Sequence, residues 1–529
     1  MIKFVVFLLL SLNFVNSYNY LVFCPLFGHS HTTFFAQIAD TLSDAGHNVT
    51  FFTPTIVEKY ENMSYVKSTK HVVKLKASEE LNQLGVRLES NDISNFWYRE
   101  STISEILPTI ELFQKMFLVQ SDNIFDNIGV LDELKNKKFD AIIYETFVLV
   151  AYPIIDYLGI KTQIPAISMT HDIDTARVIG ETIMTSAVAD TMAPFGDRMT
   201  LIERTINSLA SPIIKTFIGW PTYYSFTQPG KPLDYMKMIP KSTFLLINSN
   251  PYMDFPRPTI TKTVQIGGIS VDMGIMRDVK VDQEWNDILN IREINVLISF
   301  GTVQQSQFMP SSYKAAIIEA CSKLPNVTFI WKYEADDYNK FNRDLPNIIF
   351  RKWIPQRALL VDSRVNVFFT HAGLGSVNEV SYSGKPAILC PIFADQMRNA
   401  KMLSRHEGAV EFSKFNLDNS EKLETVLKEV LYNPKYAENA LGLARRLEKQ
   451  PIKPKQLLLK HCEFAAEFGE LPSLDPYSRN MSYFSYFMID IFLILSVIVI
   501  GLFILGFYIL KNLLFIVKMI SFKKNTKLE

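Results

Sequence analysis

The chain has 529 residues, which is room for two or three domains. Its 54 basic and 54 acidic side chains balance to a formal net charge of zero, so it lacks the positive excess that favours nucleic-acid binding. Hydrophobic residues make up 48% and charged residues 20%, which excludes a largely disordered chain. The four cysteines lie far apart without metal-ligand spacing, so we expect neither a disulfide scaffold nor a metal site.

The first 17 residues have the organisation of a secretory signal peptide. A basic residue, Lys3, precedes the apolar run 4–12, and the segment ends on Ser17 with small residues suited to cleavage. The mature chain is then expected to begin near Tyr18 and to enter the secretory pathway. A first buried strand is the alternative interpretation of the same apolar run.

Short apolar runs and helical spacing alternate after this segment. Residues 20–24 predict a strand, and the apolar spacing of 31–45 predicts a helix that stops at Gly46. The next apolar run, 49–52, predicts a second strand, and the strand–helix–strand order favours a parallel sheet. Further along, residues 139–144 predict another buried strand.

A second alternating set begins at Ile294. The predicted strands are 294–300, 327–331, 365–369 and 386–390, and the predicted helices are 313–324 and one that includes 376–382. The proline-rich stretch 251–278 is predicted to be the linker between the two sets. Two doubly wound domains that face a cleft would bind ligands at the carboxyl ends of their strands.

Small and polar residues cluster in the segment 353–396. His371 ends a predicted strand, and Gly373, Gly375 and Ser376 lead into a helix. Small residues there let a diphosphate approach the free backbone N–H groups at the start of a helix. A buried core histidine without a ligand is the alternative interpretation of His371.

Four further side chains of this segment suit a nucleotide sugar. Trp353 offers a flat face for a base, and Glu379 offers a carboxylate for ribose hydroxyls. Asp395 and Gln396 supply hydrogen-bonding groups for a sugar. Simpler explanations exist, since Ser376 with Glu379 fits a capping box, Asp395 fits a helix cap and Trp353 fits packing. Together, in this order, the residues favour a nucleotide-sugar site that needs no metal.

The C-terminal segment is predicted to cross a membrane. Residues 491–510 are twenty residues without a charge, and at ~1.5 Å per residue they span the ~30 Å of a bilayer core. Lysines dominate the tail 511–529, so the positive-inside rule places the tail in the cytosol and the bulk of the chain on the other side, as a type I protein. Four N-x-S/T sequons fall on that predicted lumenal side, at Asn48, Asn62, Asn326 and Asn480.

The segment 353–396 resembles the signature of the UDP-glycosyltransferase family, here the animal UDP-glucuronosyltransferases of nematode type. Further blocks that resemble the family are 46–50, 255–258, 266–268 and 299–302. The resemblance covers nearly the whole chain. It implies an α/β protein of the GT-B fold, in which two Rossmann-like domains face a cleft, with one C-terminal transmembrane helix. The N-terminal domain would bind the acceptor and the C-terminal domain the UDP-sugar.

The predicted organisation follows this resemblance from end to end. Its parts are a signal peptide at 1–17, an acceptor-binding domain with linker at 18–278, a UDP-sugar-binding domain at 279–470, a juxtamembrane segment at 471–486, a transmembrane helix at 487–510 and a cytosolic lysine-rich tail at 511–529. The resemblance further implies a single-pass protein of the endoplasmic reticulum, with its catalytic domains in the lumen.

The donor-binding roles of the family fall on positions that match its motif. The resemblance assigns Trp353 to uracil, Glu379 to ribose, and Asp395 and Gln396 to the sugar. The remaining donor-binding assignments are His371, Gly373, Ser376 and Thr302, which lie at the diphosphate, and Gln356. Gly375 stands where the family often carries Asn, so one side-chain contact to the donor is expected to be missing.

The same resemblance assigns the catalytic base to His31. An imidazole with a pKa of ~6.5 can take the proton from an acceptor hydroxyl as its oxygen attacks the anomeric carbon. Glu145, which stands where the family has aspartate, would orient the ring and stabilise the imidazolium. His29, two residues away, is the rival base. An α-linked donor would then yield a β-glycoside.

The predicted function is inverting transfer of glucuronate or glucose from the UDP-sugar to a hydroxyl of a small lipophilic acceptor. Residues 78–116 and 170–240, which are rich in Phe, Ile, Met and Tyr, are the expected acceptor walls. No cofactor or metal and no nucleic-acid partner is expected, and a homo-oligomer is left open. Two alternatives also stay open, a membrane-anchored nucleotide-sugar-binding scaffold without turnover and a dedicated lipid glycosyltransferase.

Overall fold

The computed structural model of the protein describes residues 17–88, 94–100, 103–182, 184–214, 238–271, 280–341 and 345–525. The predicted signal peptide lies outside these residues except for Ser17, and it stays a prediction. Parts of the predicted linker and acceptor walls also lie outside them. The chain divides into two units, one that ends at Leu474 and one that begins at Asp475.

Seven parallel strands form the first sheet, in the order β3-β2-β1-β4-β5-β6-β7. The strands are β1 Asn19–Phe23, β2 Asn48–Pro54, β3 His71–Leu75, β4 Ala141–Glu145, β5 Thr162–Ile167, β6 Leu245–Ile247 and β7 Thr263–Gln265. The helices of this part are α1 His29–Asp44, α2 Glu79–Arg87, α3 Ile103–Asp126, α4 Ile128–Asn136, α5 Ala151–Leu158, α6 Ile173–Val178 and α7 Leu201–Ile214. The central strands β1, β4 and β5 are buried along nearly their whole length, which is why they are continuous apolar runs in the sequence.

Six parallel strands form the second sheet, in the order β10-β9-β8-β11-β12-β13. The strands are β8 Ile294–Ser299, β9 Val327–Lys332, β10 Ile348–Arg351, β11 Val365–Thr370, β12 Ala387–Leu389 and β13 Ala409–Glu411. The helices are α8 Gln283–Leu289, α9 Ser311–Ser322, α10 Gln356–Val361, α11 Leu374–Ser383, α12 Gln396–Ser404, α13 Ser420–Tyr432, α14 Pro434–Glu448 and α15 Pro454–Phe468.

Each sheet has one point where the order of the strands reverses. β1 pairs with β2 on one side and with β4 on the other, and β8 likewise pairs with β9 and β11. The chain runs from β1 to β2 on one side of the first sheet and from β4 to β5 on the other side, and it does the same from β8 to β9 and from β11 to β12 in the second sheet. These diverging connections open a crevice at the carboxyl ends of β1 and β4, and of β8 and β11. His31 follows β1, Thr302 follows β8 and His371 follows β11, so the predicted site residues lie at these two places.

The last helix of the first unit returns to the first sheet. Leu458, Cys462 and Ala465 of α15 are buried in the same core as Tyr20 and Val22 of β1. A helix that the sequence places at the end of the UDP-sugar-binding domain therefore helps to cover the acceptor-side sheet. The predicted boundary of that domain, at residue 470, stays a prediction.

Two local features correct the sequence analysis. The helix after β1 begins at His29, with Gly28 in an extended conformation as its N-cap, two residues before the predicted start at residue 31, so His31 lies within the first helical turn. Thr263–Gln265 forms the edge strand β7 beside β6, although the sequence analysis placed these residues in the linker 251–278. The prolines that precede this short strand conceal it in the sequence.

The second unit contains one long apolar helix. Two helices lie in this unit, α16 Tyr483–Tyr486 and α17 Ile489–Asn525. Within the described residues, only Ile489–Ser521 is long and apolar enough to cross a membrane, with 33 residues and none of its most apolar stretch buried in the protein. At ~1.5 Å per residue this stretch is ~50 Å long, more than the ~30 Å of a bilayer core. The helix fits single-pass anchoring, and its apolar character continues past the predicted end at residue 510.

Candidate active site

Three polar side chains meet at the carboxyl edge of the first sheet. Glu145 is the last residue of β4, and Ser168 directly follows β5, which pairs with β4. His31 comes from the first turn of α1, which follows β1 on the other side of β4. The parallel pairing of these strands thus brings together side chains that lie 114 and 137 positions apart in the chain.

The contacts of these residues orient the His31 ring. Its Nδ1 lies 3.3 Å from Glu145 Oε2 and 2.5 Å from Ser168 Oγ. The backbone N–H of Ser168 donates to Glu145 Oε1 at 3.1 Å, which fixes the carboxylate. Because a carboxylate only accepts hydrogen bonds, Nδ1 carries the proton of the neutral ring. The other nitrogen, Nε2, has no hydrogen-bond partner among the described residues, and it presents its lone pair from a side chain that is 21% exposed.

Phenylalanine rings form an apolar wall at His31. The ring centroids of Phe27 and Phe147 lie 4.7 Å and 5.6 Å from that of His31. Phe117 of α3 lies 5.4 Å from Phe27. None of these three rings lies within the acceptor walls predicted from the sequence. Two of them follow the strands β1 and β4, and the strand ends therefore supply the wall together with α3.

His29, the rival base, has different neighbours. Its ring lies 5.4 Å from that of Tyr65, and it forms no ion pair with a carboxylate in the described part of the chain. Burial lowers the pKa of His29, and the charges of Arg357 and Lys332 from the second domain lower it further. His29 thus lies on the donor side of the site, whereas His31 is the histidine that a buried carboxylate holds.

The donor-side turn is built around the His371 ring. α11 begins at Leu374 with Gly373 as its N-cap, directly after the turn from β11. A Cβ atom added at Gly373 would lie 2.5 Å from His371 Nε2, and one added at Gly301 would lie 2.6 Å from Cε1. Gly301 also has a φ of +86°, a left-handed conformation that favours glycine. Both positions therefore require glycine, and the turn after β8 closely approaches the start of α11.

His371 is uncharged in this environment. Burial, together with the charge of Lys332, lowers the pKa of His371 to about 3. The neutral ring can take part in hydrogen bonds with a diphosphate, but it adds no positive charge near neutral pH. Lys332, the last residue of β9, supplies that charge from beside the turn, where its Nζ donates to the Gly301 carbonyl at 2.6 Å.

Glu379 joins α10 to α11. Its Oε1 accepts from Arg357 Nε at 2.7 Å, and its Oε2 accepts from Gln356 Nε2 at 2.6 Å. Gln356 Nε2 also lies 3.2 Å from Ser376 Oγ. Ser376 lies inside α11, whose N-cap is Gly373, so the explanation of Ser376 and Glu379 as a capping box is wrong. These side chains form one polar network at the amino end of α11.

Trp353 is available to a ligand. The residue lies three positions before the start of α10 and is 62% exposed, so the explanation of its side chain as core packing is wrong. Lys332 Nζ lies 5.6 Å from the centroid of its ring. The exposed indole therefore borders the same lysine that borders the His371 ring.

Asp395 is the N-cap residue of α12 in the second domain. Its Oδ2 accepts from Asn399 Nδ2 at 2.8 Å, and it makes no side-chain cap to α12. Burial raises the pKa of Asp395, while the Asn399 hydrogen bond and the charge of His31 act against that rise. The carboxyl group of the second domain therefore interacts electrostatically with the histidine of the first.

Gln396 supports the turn that carries Asp395. Its Oε1 accepts from the backbone N–H groups of Ile392 at 2.9 Å and Phe393 at 3.2 Å. Thr302 is half-buried in the turn after β8. A Cβ atom at Gly375 would meet no atom within 4 Å, so this position of α11 has room for a side chain.

Three residues of the site were not singled out in the sequence analysis, namely Ser168, Lys332 and Arg357. Ser168 directly follows a buried strand, and Lys332 ends one, so position at a strand end was the available signal. Their partners come from other strands and are not visible in a local motif. The described residues hold no group of three or more His, Cys, Asp or Glu side chains that could bind a metal ion. The metal-free site stays a prediction.

Comparison with solved structures identifies the class of fold. The structure of Phytolacca americana UGT2 complexed with UDP-2-fluoro-glucose and pterostilbene matches with a TM-score of 0.56 and 13% identity, over 85% of this chain and 100% of that chain. Two Rossmann-like domains built on parallel sheets, matched over this length to a glycosyltransferase, define the GT-B fold. The predicted fold class is confirmed.

Comparison of the sequence identifies the family. The family model described as "UDP-glucoronosyl and UDP-glucosyl transferase" matches residues 21–526, and the chain belongs to this family. The putative UDP-glucuronosyltransferase ugt-56 of Caenorhabditis elegans is 26% identical over 491 residues, 88% of this chain and 88% of that protein. Human UDP-glucuronosyltransferase 1A6 is 23% identical over 477 residues, 87% of this chain and 85% of the human protein. The chain is therefore a glycosyltransferase that takes sugar from a UDP-sugar, and a scaffold without turnover is not supported.

Proposed function

We propose that the protein transfers glucuronate or glucose, with inversion, from the UDP-sugar to a hydroxyl group of a small lipophilic molecule. The observation that carries this proposal is the arrangement of His31, Glu145 and Ser168. The buried carboxylate and the hydroxyl hold Nδ1, and Nε2 remains open beside an apolar wall and near Asp395. A base held in this way can serve an acceptor that lies between the two domains.

The reaction is a single displacement. Nε2 of His31 takes the hydroxyl proton of the acceptor while the acceptor oxygen forms a bond to the anomeric carbon. The bond from that carbon to the diphosphate oxygen breaks, and UDP leaves with the bonding electrons. The imidazolium formed at His31 lies 3.3 Å from the Glu145 carboxylate, which stabilises it. Attack opposite to the leaving group converts an α-linked donor into a β-glycoside.

The donor is proposed to lie along the carboxyl edge of the second sheet. Uracil stacks on the exposed Trp353, and ribose hydroxyls bind Glu379, which Gln356 already orients. The diphosphate meets backbone N–H groups at Gly373, where α11 begins, within reach of the side chains His371, Ser376, Thr302 and Lys332. Asp395 and Gln396 bind sugar hydroxyls. His371 donates a hydrogen bond in this scheme, and Lys332 supplies the positive charge.

The acceptor is proposed to be lipophilic and aromatic. Phe27, Phe117 and Phe147 line the side of His31 from which a hydroxyl would approach. The UGT2 structure, which has the same fold, was solved with pterostilbene beside the UDP-sugar analogue. We propose a single-pass type I protein of the endoplasmic reticulum with both domains in the lumen, which the lysines that follow the apolar helix support.

A donor screen with the full-length protein in membranes tests this function. UDP-glucuronate, UDP-glucose and UDP-galactose are each offered with one phenolic acceptor, with and without EDTA, and the anomeric configuration of the product is read by NMR. Formation of a β-glycoside from glucuronate or glucose, undiminished by EDTA, is the expected result. An α-glycoside would contradict the inverting mechanism. Loss of activity with EDTA would contradict a metal-free site.

A further inference from the structure

A short segment of the acceptor side is embedded in the donor side. Residues 95–100, named the strap here, lie between α2 and α3, whose buried side chains Leu81, Leu84 and Met116 belong to a core of the first sheet. Phe96 and Trp97 of the strap are instead buried in a core of the second sheet. The strap therefore leaves one domain, packs into the other and returns.

Aromatic contacts connect the strap to two loops of the second sheet. The Phe96 ring stacks on Phe393 with centroids 4.5 Å apart and an interplanar angle of 12°. The Trp97 ring lies 5.1 Å from Phe300, the residue before the Gly301 turn, and its Nε1 donates to the Gln305 carbonyl at 3.3 Å. Both loops belong to the proposed donor site, one at the diphosphate and one at the sugar.

Lys414 of the second domain forms hydrogen bonds with the strap. Its side chain is almost completely buried, and its Nζ donates three hydrogen bonds to backbone carbonyls. The acceptors are Phe96 O at 2.7 Å and Arg99 O at 2.6 Å in the strap, and Ile392 O at 2.7 Å in the second sheet. An ammonium group has three N–H bonds, so every donor of Lys414 is used. Burial of a charge is costly unless it is satisfied in this way, and it lowers the pKa of Lys414 to about 8.

These contacts hold the turn that presents Asp395. The carbonyl of Ile392 binds Lys414, its N–H binds Gln396 Oε1, and the next ring, Phe393, stacks on Phe96. The turn is thus held by the strap on one side and by its own helix α12 on the other. In the proposed function this turn binds the sugar and has no part in binding uracil or ribose.

The other end of the strap leads to the acceptor wall. α3 begins three residues after the strap and carries Phe117, whose ring lies 5.4 Å from that of Phe27 beside His31. One continuous piece of chain therefore joins the ring next to the base to the turn that carries Asp395. A shift of the strap would move the sugar relative to the attacking oxygen.

We propose that Lys414 and Phe96 are positioning residues that keep the sugar-binding turn at a fixed position relative to the acceptor wall. This inference rests on the proposed function, because it takes Asp395 and Gln396 as the sugar ligands. It predicts that loss of the Lys414 or Phe96 contacts, which reach the sugar-binding turn, weakens the use of the UDP-sugar and leaves the binding of UDP alone unchanged. A misplacement of about 1 Å in a site of this kind can cost about a hundredfold in rate.

The test compares Lys414→Met with the wild type, as full-length protein in membranes. Methionine keeps the apolar length of the side chain and removes all three hydrogen bonds. We expect the ratio kcat/KM for the UDP-sugar to fall about ten- to hundredfold, while the inhibition constant of UDP stays within about twofold. Lys422→Met is the matched control, because among the described residues the ammonium group of this exposed lysine binds only Asn416 Oδ1, at 3.0 Å, and full activity is expected.

Phe96→Leu provides a second variant that keeps an apolar core and removes the stacked ring. The same split between the UDP-sugar and UDP is expected, with a fall of about three- to tenfold. If Lys414→Met does not fold, Phe96→Leu decides the question. An unchanged kcat/KM in the folded variants, or an equal weakening of UDP, would overturn the proposed role of the strap. A wild-type protein that transfers no sugar would instead overturn the proposed function.

Discussion

Replacement of Glu145 by Gln removes the negative charge beside the His31 ring with little change in size. In the wild type, Glu145 Oε2 is 3.3 Å from Nδ1, and Oε1 accepts from the Ser168 N–H. The single amide oxygen can still accept from the ring and keep the orientation of His31, although the amide nitrogen can no longer accept from the Ser168 N–H. The imidazolium formed in the reaction, however, loses its counter-charge. We therefore expect Glu145→Gln to lower kcat and to leave UDP binding unchanged.

The separation of the two charges sets the size of the effect. Unit charges 3.3 Å apart attract by about 5 kcal/mol at an effective dielectric constant of about 20, and by about 1.3 kcal/mol in water. About 1.4 kcal/mol corresponds to a tenfold change in rate. The expected fall in kcat therefore lies between about tenfold and a few thousandfold, and it stays below the fall for loss of the base itself. Ser168→Ala removes a neutral hydrogen bond, for which about two- to tenfold is expected.

The assay measures kcat in membranes and counts active sites by UDP binding. Glu133→Gln changes an exposed carboxylate on α4 of the same domain and serves as the control. Glu145→Asp restores the residue usual in the family and should remain within about an order of magnitude of the wild type. In a His31→Ala background, Glu145→Gln should cost almost nothing more, because the two residues act as a unit. Full activity of Glu145→Gln, or multiplicative losses in the double variant, would refute this reasoning.

Three further predictions concern the donor site and the membrane. Gly375→Asn should fold and lower the KM for the UDP-sugar, since the position has open space and glycine is a poor helix former. A higher KM would show that the start of α11 tolerates no side chain at this position. Glu379→Ala should weaken UDP affinity about ten- to hundredfold without unfolding, whereas Arg357→Met, which removes one partner of the carboxylate, should weaken it less. Equal UDP affinities of the wild type and Glu379→Ala would show that the carboxylate has only a structural role. Protease added to intact microsomes should remove only the tail after the apolar helix, with the protected part sensitive to endoglycosidase, and digestion of the whole protein would contradict the type I topology.

The strands that bear the site could be located from the sequence. Buried parallel strands are continuous apolar runs, so 20–24, 139–144 and 365–369 were found within about two residues of β1, β4 and β11. The proposed donor-binding residues between His371 and Glu379 could also be named, because they lie on one turn and one helix. Local spacing is sufficient when neighbours in space are neighbours in sequence.

Contacts across strands could not be obtained in this way. Ser168 reaches His31 only because β5 pairs with β4 and β4 pairs with β1, which the sequence does not state. The neutral state of His371 depends on burial and on Lys332 from β9, a different strand. The sequence analysis placed His371 at the diphosphate, and the low pKa means that its ring adds no positive charge there near neutral pH.

Burial also decided between explanations that the sequence left open. The sequence does not distinguish an exposed tryptophan from a buried one, and only the structure shows that Trp353 is 62% exposed. In the same way, Ser376 and Glu379 match a capping box by spacing, although the helix begins before them at Leu374. The strap was not foreseen, because Phe96 and Trp97 lie in a segment whose neighbours pack on the other sheet.

The central claim is that His31 is the base, and the paired variants His31→Ala and His29→Ala test it most directly. With saturating UDP-sugar and a phenolic acceptor, His31→Ala should lower kcat about 10²- to 10⁴-fold while the UDP dissociation constant stays within about twofold of the wild type. His29→Ala should keep kcat within about tenfold, because its ring has no carboxylate partner among the described residues and the charges of Lys332 and Arg357 lower its pKa. An inactive His29→Ala together with an active His31→Ala would show that the base is His29 and not His31. Full activity of both variants would contradict the mechanism.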